Sequence, residues 1–431
     1  MMNSINSKII KEAVSKYSSE IIEWTKKLIS FPSENCYPDG YEGEAQQFIE
    51  EECRNMGWDT DMFTPEDVSG IKDHPSWLPG RKYPEGRKNL VSKWNGSGEG
   101  RSILFSGHID VAPSMPENWK ICYPYKPVIK GNRLYGRGSV DMKGGITALF
   151  WALKILKEIG FNPTGDIIFE SIVDEEYAGG NGTLASRLKG YNADLAIVPE
   201  PSRMQVCPAC LGAFLGDLTL KGKAGMPFMG SAIPNPINGV SRVIELFQKW
   251  EKEWCSSNAH PLFNESGKEL KVVLWSIDTN DSEKINQMGT PKSIKVSWIV
   301  WCYPGMTEDN FYQQFRSFWE KYAKSDPKLR PFKLEIIPTF HYVKPWETNI
   351  EDTAVQVVID AFTQYSRKTP IVGGAPFSCD LSIYGEVGGM PSIIIGPRGD
   401  NLHAPDEWVL IEDVLSLTGI FAYLVYLWSG S

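Results

Sequence analysis

The chain has 431 residues, a length that suits two or three domains, and its 44 basic and 53 acidic residues leave a net charge of −9. That balance argues against a dedicated nucleic-acid binder and against attraction to an anionic membrane surface. At 42% hydrophobic and 23% charged, the composition is that of a globular chain with a sizeable core, and its five His are few enough that each is a candidate for a specific role.

Residues 1–11 are polar and lack the apolar core of a signal peptide. Ile9, Ile10, Ala13, Ile21, Ile22, Trp24, Leu28 and Ile29 recur at helical spacing and predict an amphipathic helix over 7–29. A second helix is predicted over 43–56, followed by a long Pro- and Gly-rich loop over 65–87. Short apolar runs at 89–94 and 102–106, bounded by Gly-rich turns, read as buried strands. A helix over 142–159 and strands at 166–173 and 195–198 continue the alternation. Strands alternating with helices imply an α/β sheet covered on both faces.

Near Cys210 the character shifts. A strand at 215–221, a helix at 238–253, strands at 271–277 and 293–303 and a helix at 308–324 form an α+β pattern, two helices over an antiparallel sheet. The α/β character resumes with a helix at 352–366, a strand at 391–395 and a final helix from 412. The expected organisation is a discontinuous catalytic domain over 1–213 and 338–431, with a smaller domain inserted at 214–337. The apolar stretch 411–428 carries Glu412 and Asp413 and reads as short of a membrane span. The eight Cys are scattered, and the single CxxC at Cys207 and Cys210 has no partner pair for zinc, so buried thiols in a reduced, cytoplasmic protein are expected. Of the Trp, Trp250, Trp254, Trp275, Trp298 and Trp301 fall in the inserted region, where core packing is expected.

Five places carry an acid or His at or just after a predicted strand end, where sites form in α/β sheets. In Gly107-His108-Ile109-Asp110-Val111, the two-residue spacing lets Asp110 accept from the His108 ring, a common support for a metal-bound imidazole; a turn with a half-buried His fits as well. In Gly138-Ser139-Val140-Asp141-Met142-Lys143-Gly144, Asp141 precedes a helix and is either an N-cap or a carboxylate able to bridge two cations. Val173-Asp174-Glu175-Glu176 sets three acids directly after an apolar strand, which is costly unless a cation compensates them or the loop is solvated. With a cation present, one Glu ligates and its neighbour handles protons. Glu200, between Pro199 and Pro201, and His403, in the polar loop Asn401-Leu402-His403-Ala404-Pro405-Asp406-Glu407, are weak signals taken singly. Together, two His and three carboxylates suffice for two divalent ions, and N/O donors of this mix suit Zn²⁺, with Co²⁺ or Mn²⁺ as substitutes. Two ions about 3.5–4 Å apart can share a hydroxide and polarise a carbonyl, which is hydrolase chemistry.

These motifs, in this order, resemble the metallopeptidase and deacylase family that includes bacterial glutamate carboxypeptidase, aminoacylase-1, acetylornithine deacetylase and succinyl-diaminopimelate desuccinylase. The resemblance spans nearly the whole chain. It implies that His108 and Glu200 hold one zinc and Glu176 and His403 the other, with Asp141 bridging. It makes Glu175 the general base and Asp110 the residue that orients His108. It also implies a zinc-exopeptidase-like catalytic domain and a ferredoxin-like inserted lid that mediates a homodimer.

Two departures from the family pattern are visible. Lid-bearing members carry a G-x-x-x-H motif whose His stabilises an oxyanion across the dimer, whereas Gly222-Lys223-Ala224-Gly225-Met226 places Met226 there. A thioether donates no hydrogen bond, and one such donor is worth about 10²–10³ in rate. His74, His260 and His341 remain as substitutes without a supporting motif. In Ser378-Cys379-Asp380-Leu381-Ser382 the Arg that grips a substrate carboxylate in some relatives is missing, and Arg398 is either a replacement clamp or part of a structural salt bridge. The leading expectation is a di-zinc hydrolase that deacylates an N-acyl amino acid or related amine. The alternatives are a dipeptidase or carboxypeptidase of the same family, and a non-catalytic binder on account of Met226.

Overall fold

The structure, a computed structural model, describes residues 6–177, 180–225, 233–264, 270–279 and 289–430. The chain forms two compact units, the first made of Met1–Ala209, Glu347–Gly373 and Cys379–Ser431 and the second of Cys210–Trp346 and Gly374–Ser378.

The first unit is built on a mixed sheet. Asp59–Phe63 and Asn89–Trp94 pair antiparallel at one edge, and Asn89–Trp94 is antiparallel to Ile167–Ile172. From there the order Ile167–Ile172, Ile103–His108, Ala196–Val198, Ser392–Ile394 is parallel throughout. Every residue of those four strands is buried, which is why they read in the sequence as apolar runs without alternation. Being parallel, their carboxyl ends open on the same edge of the sheet. His108 ends strand Ile103–His108, Glu175 and Glu176 follow Ile167–Ile172, Glu200 follows Ala196–Val198, and the loop carrying His403 follows Ser392–Ile394.

Helices Gly144–Glu158 and Ile411–Ser429 pack on each other and on strand Ile103–His108. Among the described residues, Ile411–Ser429 is the one helix long and apolar enough to cross a membrane by length and composition, contrary to the sequence expectation. Burial accounts for its apolarity: Val414, Leu417, Ile420, Phe421, Leu424 and Val425 are all in the core.

The first helix differs from expectation. The chain breaks at Tyr17 into Ser7–Lys16 and Ser18–Ile29. The hydroxyl of Ser18 donates to the carbonyl of Ser15 at 3.0 Å, the local side-chain competition that interrupts helices. A small antiparallel sheet of Val128–Lys130, Arg133–Tyr135, Trp408–Leu410 and Gly399–Asp400 was not anticipated.

The second unit is α+β. Its antiparallel sheet runs Val272–Asp278, Ser293–Cys302, Val206–Lys221, Lys333–Val343, and helices Pro236–Ser257 and Glu308–Ala323 supply its apolar cover. Trp250 and Trp254 stack at 5.3 Å, and Trp298 lies 4.9 Å from Phe315, so these Trp are core as expected. Trp275 is 54% exposed. The expected inserted segment, 214–337, falls inside this unit. The unit extends beyond it because Val206–Lys221 runs through the first boundary and Lys333–Val343 pairs alongside it, from Lys221↔Lys333 to Ala213↔Val343.

Candidate metal centre

The sequence sets two imidazoles and three carboxylates at or after the carboxyl ends of parallel strands, and a fourth carboxylate, Asp141, in the turn ahead of helix Gly144–Glu158, and the fold draws them together. His108 Nε2 lies 3.2 Å from Asp141 Oδ1 and 3.4 Å from Glu200 Oε1. His403 Nε2 lies 3.2 Å from Asp141 Oδ2 and 2.8 Å from Glu176 Oε2. Asp141 thus presents one oxygen to each imidazole. The ligand atoms of His108, Asp141 and Glu176 all lie within 4.8 Å of one another, as do those of His108, Glu175 and Glu200.

Each side chain is held from behind. His108 Nδ1 lies 2.8 Å from the backbone carbonyl of Asp110. A carbonyl only accepts, so the ring proton belongs on Nδ1 and Nε2 keeps its lone pair for a cation. The Asp110 carboxylate does not make this contact; its nearer oxygen is 3.8 Å away. The other oxygen, Oδ2, accepts the backbone N–H groups of Glu175 and Glu176, each at 3.0 Å, and the Asn35 amide at 2.7 Å. Asp110 therefore fixes the peptide that carries the glutamates and orients His108 through its main chain.

Asp141 sits in a tight turn whose N–H groups point at a buried carboxylate. Glu407 accepts from the N–H of Gly138 at 2.9 Å, Val140 at 3.0 Å and Asp141 at 3.2 Å, and pairs with Arg137 Nη1 at 2.8 Å. The first acid of the Asp174-Glu175-Glu176 run is compensated without a metal. Asp174 is buried and accepts from Arg81 Nε at 2.6 Å, Arg87 Nη2 at 2.8 Å and the Tyr83 hydroxyl at 2.7 Å. Arg87 also pairs with buried Glu42 at 3.0 Å. Removing one partner of such a buried pair leaves an uncompensated charge, so these arginines fix the loop conformation.

The remaining acids face the two imidazoles instead of arginines. Burial raises the pKa of Glu175 and of Glu200 well above the usual carboxylate range, opposed by His108 and reinforced by neighbouring acids. Glu176 is raised too, by burial and then by Asp141. Burial also raises Asp141, but hydrogen bonds from His108 and His403 more than offset it and hold the group low. His403 is raised to about 11 by its bonds to Asp141 and Glu176. Burial disfavours charge on His108, yet Glu200 and Asp141 hold its pKa well above the ordinary value. Buried acids crowded around two imidazoles are a conflict that divalent cations resolve. The donor set, imidazole nitrogen and carboxylate oxygen, fits Zn²⁺ and its substitutes.

Other expected residues lie elsewhere. Arg398 directs Nε and Nη2 at Asp413, at 2.7 and 2.6 Å, and Nη2 at Glu412 at 3.0 Å, which is the salt-bridge alternative. Leu381 is fully buried. Met226 lies outside the described residues. His74 accepts the N–H of Ser76 at 3.1 Å, His260 that of Leu262 at 3.3 Å, and His341 lies in strand Lys333–Val343 opposite Leu215. Sequence reasoning did not single out Asn35, Arg81, Arg87 or the role of Asp174. Asp380, noted only for lacking a neighbouring Arg, is buried beside the Thr183 hydroxyl, and burial raises it to about 6.

Comparisons with known proteins agree on one lineage. The sequence pattern of peptidase family M20/M25/M40 matches residues 104–427. The chain is 26% identical to the N-formyl-4-amino-5-aminomethyl-2-methylpyrimidine deformylase of Bacillus subtilis over 97% of both chains. It is 26% identical to the succinyl-diaminopimelate desuccinylase of Nautilia profundicola, over 85% of this chain and 96% of that one. The structure of a di-peptidase from Saccharomyces cerevisiae superposes with a TM-score of 0.79 at 13% identity, covering 100% of both chains.

Proposed function

The chain belongs to peptidase family M20/M25/M40, and from that premise we propose that it is a di-zinc amidohydrolase that removes a small acyl group from an amine. The convergence of His108, Asp141, Glu176, Glu200 and His403, with Glu175 beside them, carries this reading. His108 and Glu200 would hold one cation, Glu176 and His403 the other, and Asp141 would bridge them. When bound, such a pair polarises the scissile carbonyl and lowers the pKa of water. Glu175 is the general base: it takes the proton of the attacking water and returns it to the departing nitrogen. Burial, which pushes its pKa upward, suits it to hold that proton between the two steps.

Deacylation is favoured over peptidase action by the relatives named as a deformylase and a desuccinylase. It is favoured also by the engagement of Arg398 with Asp413 and Glu412, which removes the support for a clamp on a substrate carboxylate. The fold shared with a di-peptidase keeps cleavage of dipeptides as the second reading. A panel of N-formyl and N-acyl amines set against dipeptides, with the zinc-loaded enzyme, separates the two. Turnover is expected on the acyl amines and lost on chelation; turnover confined to dipeptides would move the assignment to the second reading. Absence of turnover both in the natural chain and in Met226→His would favour a non-catalytic binder.

We also propose a cytoplasmic homodimer. The eight cysteines are scattered along the sequence without a paired spacing pattern, which suits a reducing compartment. The second unit ends in the edge strand Val272–Asp278, on which Val273, Trp275 and Ile277 are 38%, 54% and 52% exposed on alternate residues. An apolar row on a strand that lies at the sheet edge among the described residues is a template for pairing with a second copy. Trp275→Glu is expected to shift the mass measured by light scattering from dimer to monomer. A natural chain already monomeric at micromolar concentration would contradict the proposal.

A further inference from the structure

Immediately after Glu176 the chain presents an aromatic side chain that the chemistry above leaves unused. Tyr177 stacks on Tyr37, with ring centroids 4.7 Å apart and planes at 21°. Most large apolar side chains of this unit are buried, but Tyr37 is 54% and Tyr177 44% exposed. The pair does not float on the surface. The Arg81 guanidinium carbon lies 4.8 Å from the centre of the Tyr177 ring and 5.5 Å from that of Tyr37. Arg81 is itself buried, and binds Asp174 and the side-chain oxygen of Asn35. Asn35 in turn donates to Asp110, whose same oxygen receives the N–H groups of Glu175 and Glu176. The hydrogen-bonded chain from Arg81 through Asn35 to Asp110 holds the peptide of the two glutamates, and the guanidinium at its other end packs against both rings.

Two tyrosine rings packed together and half open to solvent, the second of them one residue after the proposed ligand Glu176, have the properties of a stacking platform. Rigid aromatic rings offer a large contact area at little cost in side-chain entropy. Their π faces favour a flat, unsaturated ring over a saturated one of equal size. We propose that Tyr37 and Tyr177 form the subsite for the amine portion of the substrate, and that this portion is a planar aromatic or heteroaromatic ring. The proposal rests on the amidohydrolase reading for the reaction and on the Tyr37–Tyr177–Arg81 geometry for the ring.

The test compares the zinc-loaded natural chain with Tyr37→Leu, Tyr177→Leu and Tyr177→Phe. N-formylbenzylamine and its saturated counterpart N-formyl-cyclohexylmethylamine serve as substrates. Calorimetric binding of the product amines, benzylamine and cyclohexylmethylamine, is measured in parallel. The natural chain is expected to prefer the aromatic member in both measurements. Each Leu variant is expected to lose about tenfold of that preference through KM, and Tyr177→Phe to keep it. Hydrolysis of both amides with no preference, or a preference unchanged in the Leu variants, would overturn the platform. Binding preference without hydrolysis would leave the platform standing and remove the amidohydrolase reading. Zinc content and thermal midpoint of each variant show whether a loss reflects the subsite or a damaged fold; a Leu variant that keeps its zinc and its midpoint reads on the subsite alone.

Discussion

Glu175→Gln is expected to lower kcat by about 10³-fold while two equivalents of zinc stay bound. The magnitude follows from the proposed role: proton transfer by a positioned side chain contributes roughly 10²–10⁴ in rate, and one carboxylate would serve both the attack of water and the departure of the amine. The amide keeps the shape and the hydrogen bond of the Glu175 N–H to Asp110, so the neighbouring ligands should not move. Because Glu175 also lies within ligand distance of His108 and Glu200, metal content decides the interpretation. Loss of a zinc ion in Glu175→Gln would make Glu175 a ligand rather than the base.

The second large effect is expected at Asp141, the one carboxylate among the described residues in contact with both imidazoles. Asp141→Asn replaces an oxygen that accepts with an amide group that donates, and would remove a negative charge from between the two proposed cations. Changes in groups that merely support a ligand cost about 10–100-fold in metal affinity, so loss of a bridging ligand is expected to exceed about 100-fold. Activity at micromolar zinc should fall with it. The metal-free protein gives an independent readout. With His403 raised from 6.5 to about 11, its proton is bound at neutral pH and must leave when the ring accepts a metal. The sign is definite: the charged ring stabilises the metal-free fold fully below pH 6.5, and that contribution is lost as pH rises towards 11. Metal affinity runs the other way and rises over the same interval. Calorimetry in two buffers of different ionisation enthalpy should register proton release in the natural chain and a smaller release in Asp141→Asn.

Four of the five proposed ligand positions, His108, Glu176, Glu200 and His403, were readable because each ends or follows a buried parallel strand, and such strands deliver their carboxyl ends to one edge; Asp141 was readable from its Gly-rich turn ahead of a helix. What lies behind the ligands was not readable. Asn35, Arg81 and Arg87 reach Asp174 across 139, 93 and 87 residues of sequence, and no local periodicity signals a partner at that distance. The stretch 65–87 was expected to be a loop, and its Pro and Gly do punctuate the backbone. Nothing in that composition says that Arg81 and Arg87 turn inward and become buried. The carboxylate of Asp110 was assigned to the His108 ring on spacing alone, whereas the closer acceptor is its own main chain, because two backbone N–H groups compete for the side chain. Strand Lys333–Val343 escaped notice because Pro338 interrupts it and charged residues alternate at its start, features that mark edge strands and loops alike.

The central claim is that two cations held by His108, Asp141, Glu176, Glu200 and His403 make this chain an amide-bond hydrolase. Its most direct test is to strip the protein with a chelator, add back Zn²⁺ in steps, and follow deformylation of an N-formyl amine against the number of ions bound. No turnover is expected in the stripped protein, with full recovery as the second equivalent binds. Undiminished turnover with no metal bound would contradict it.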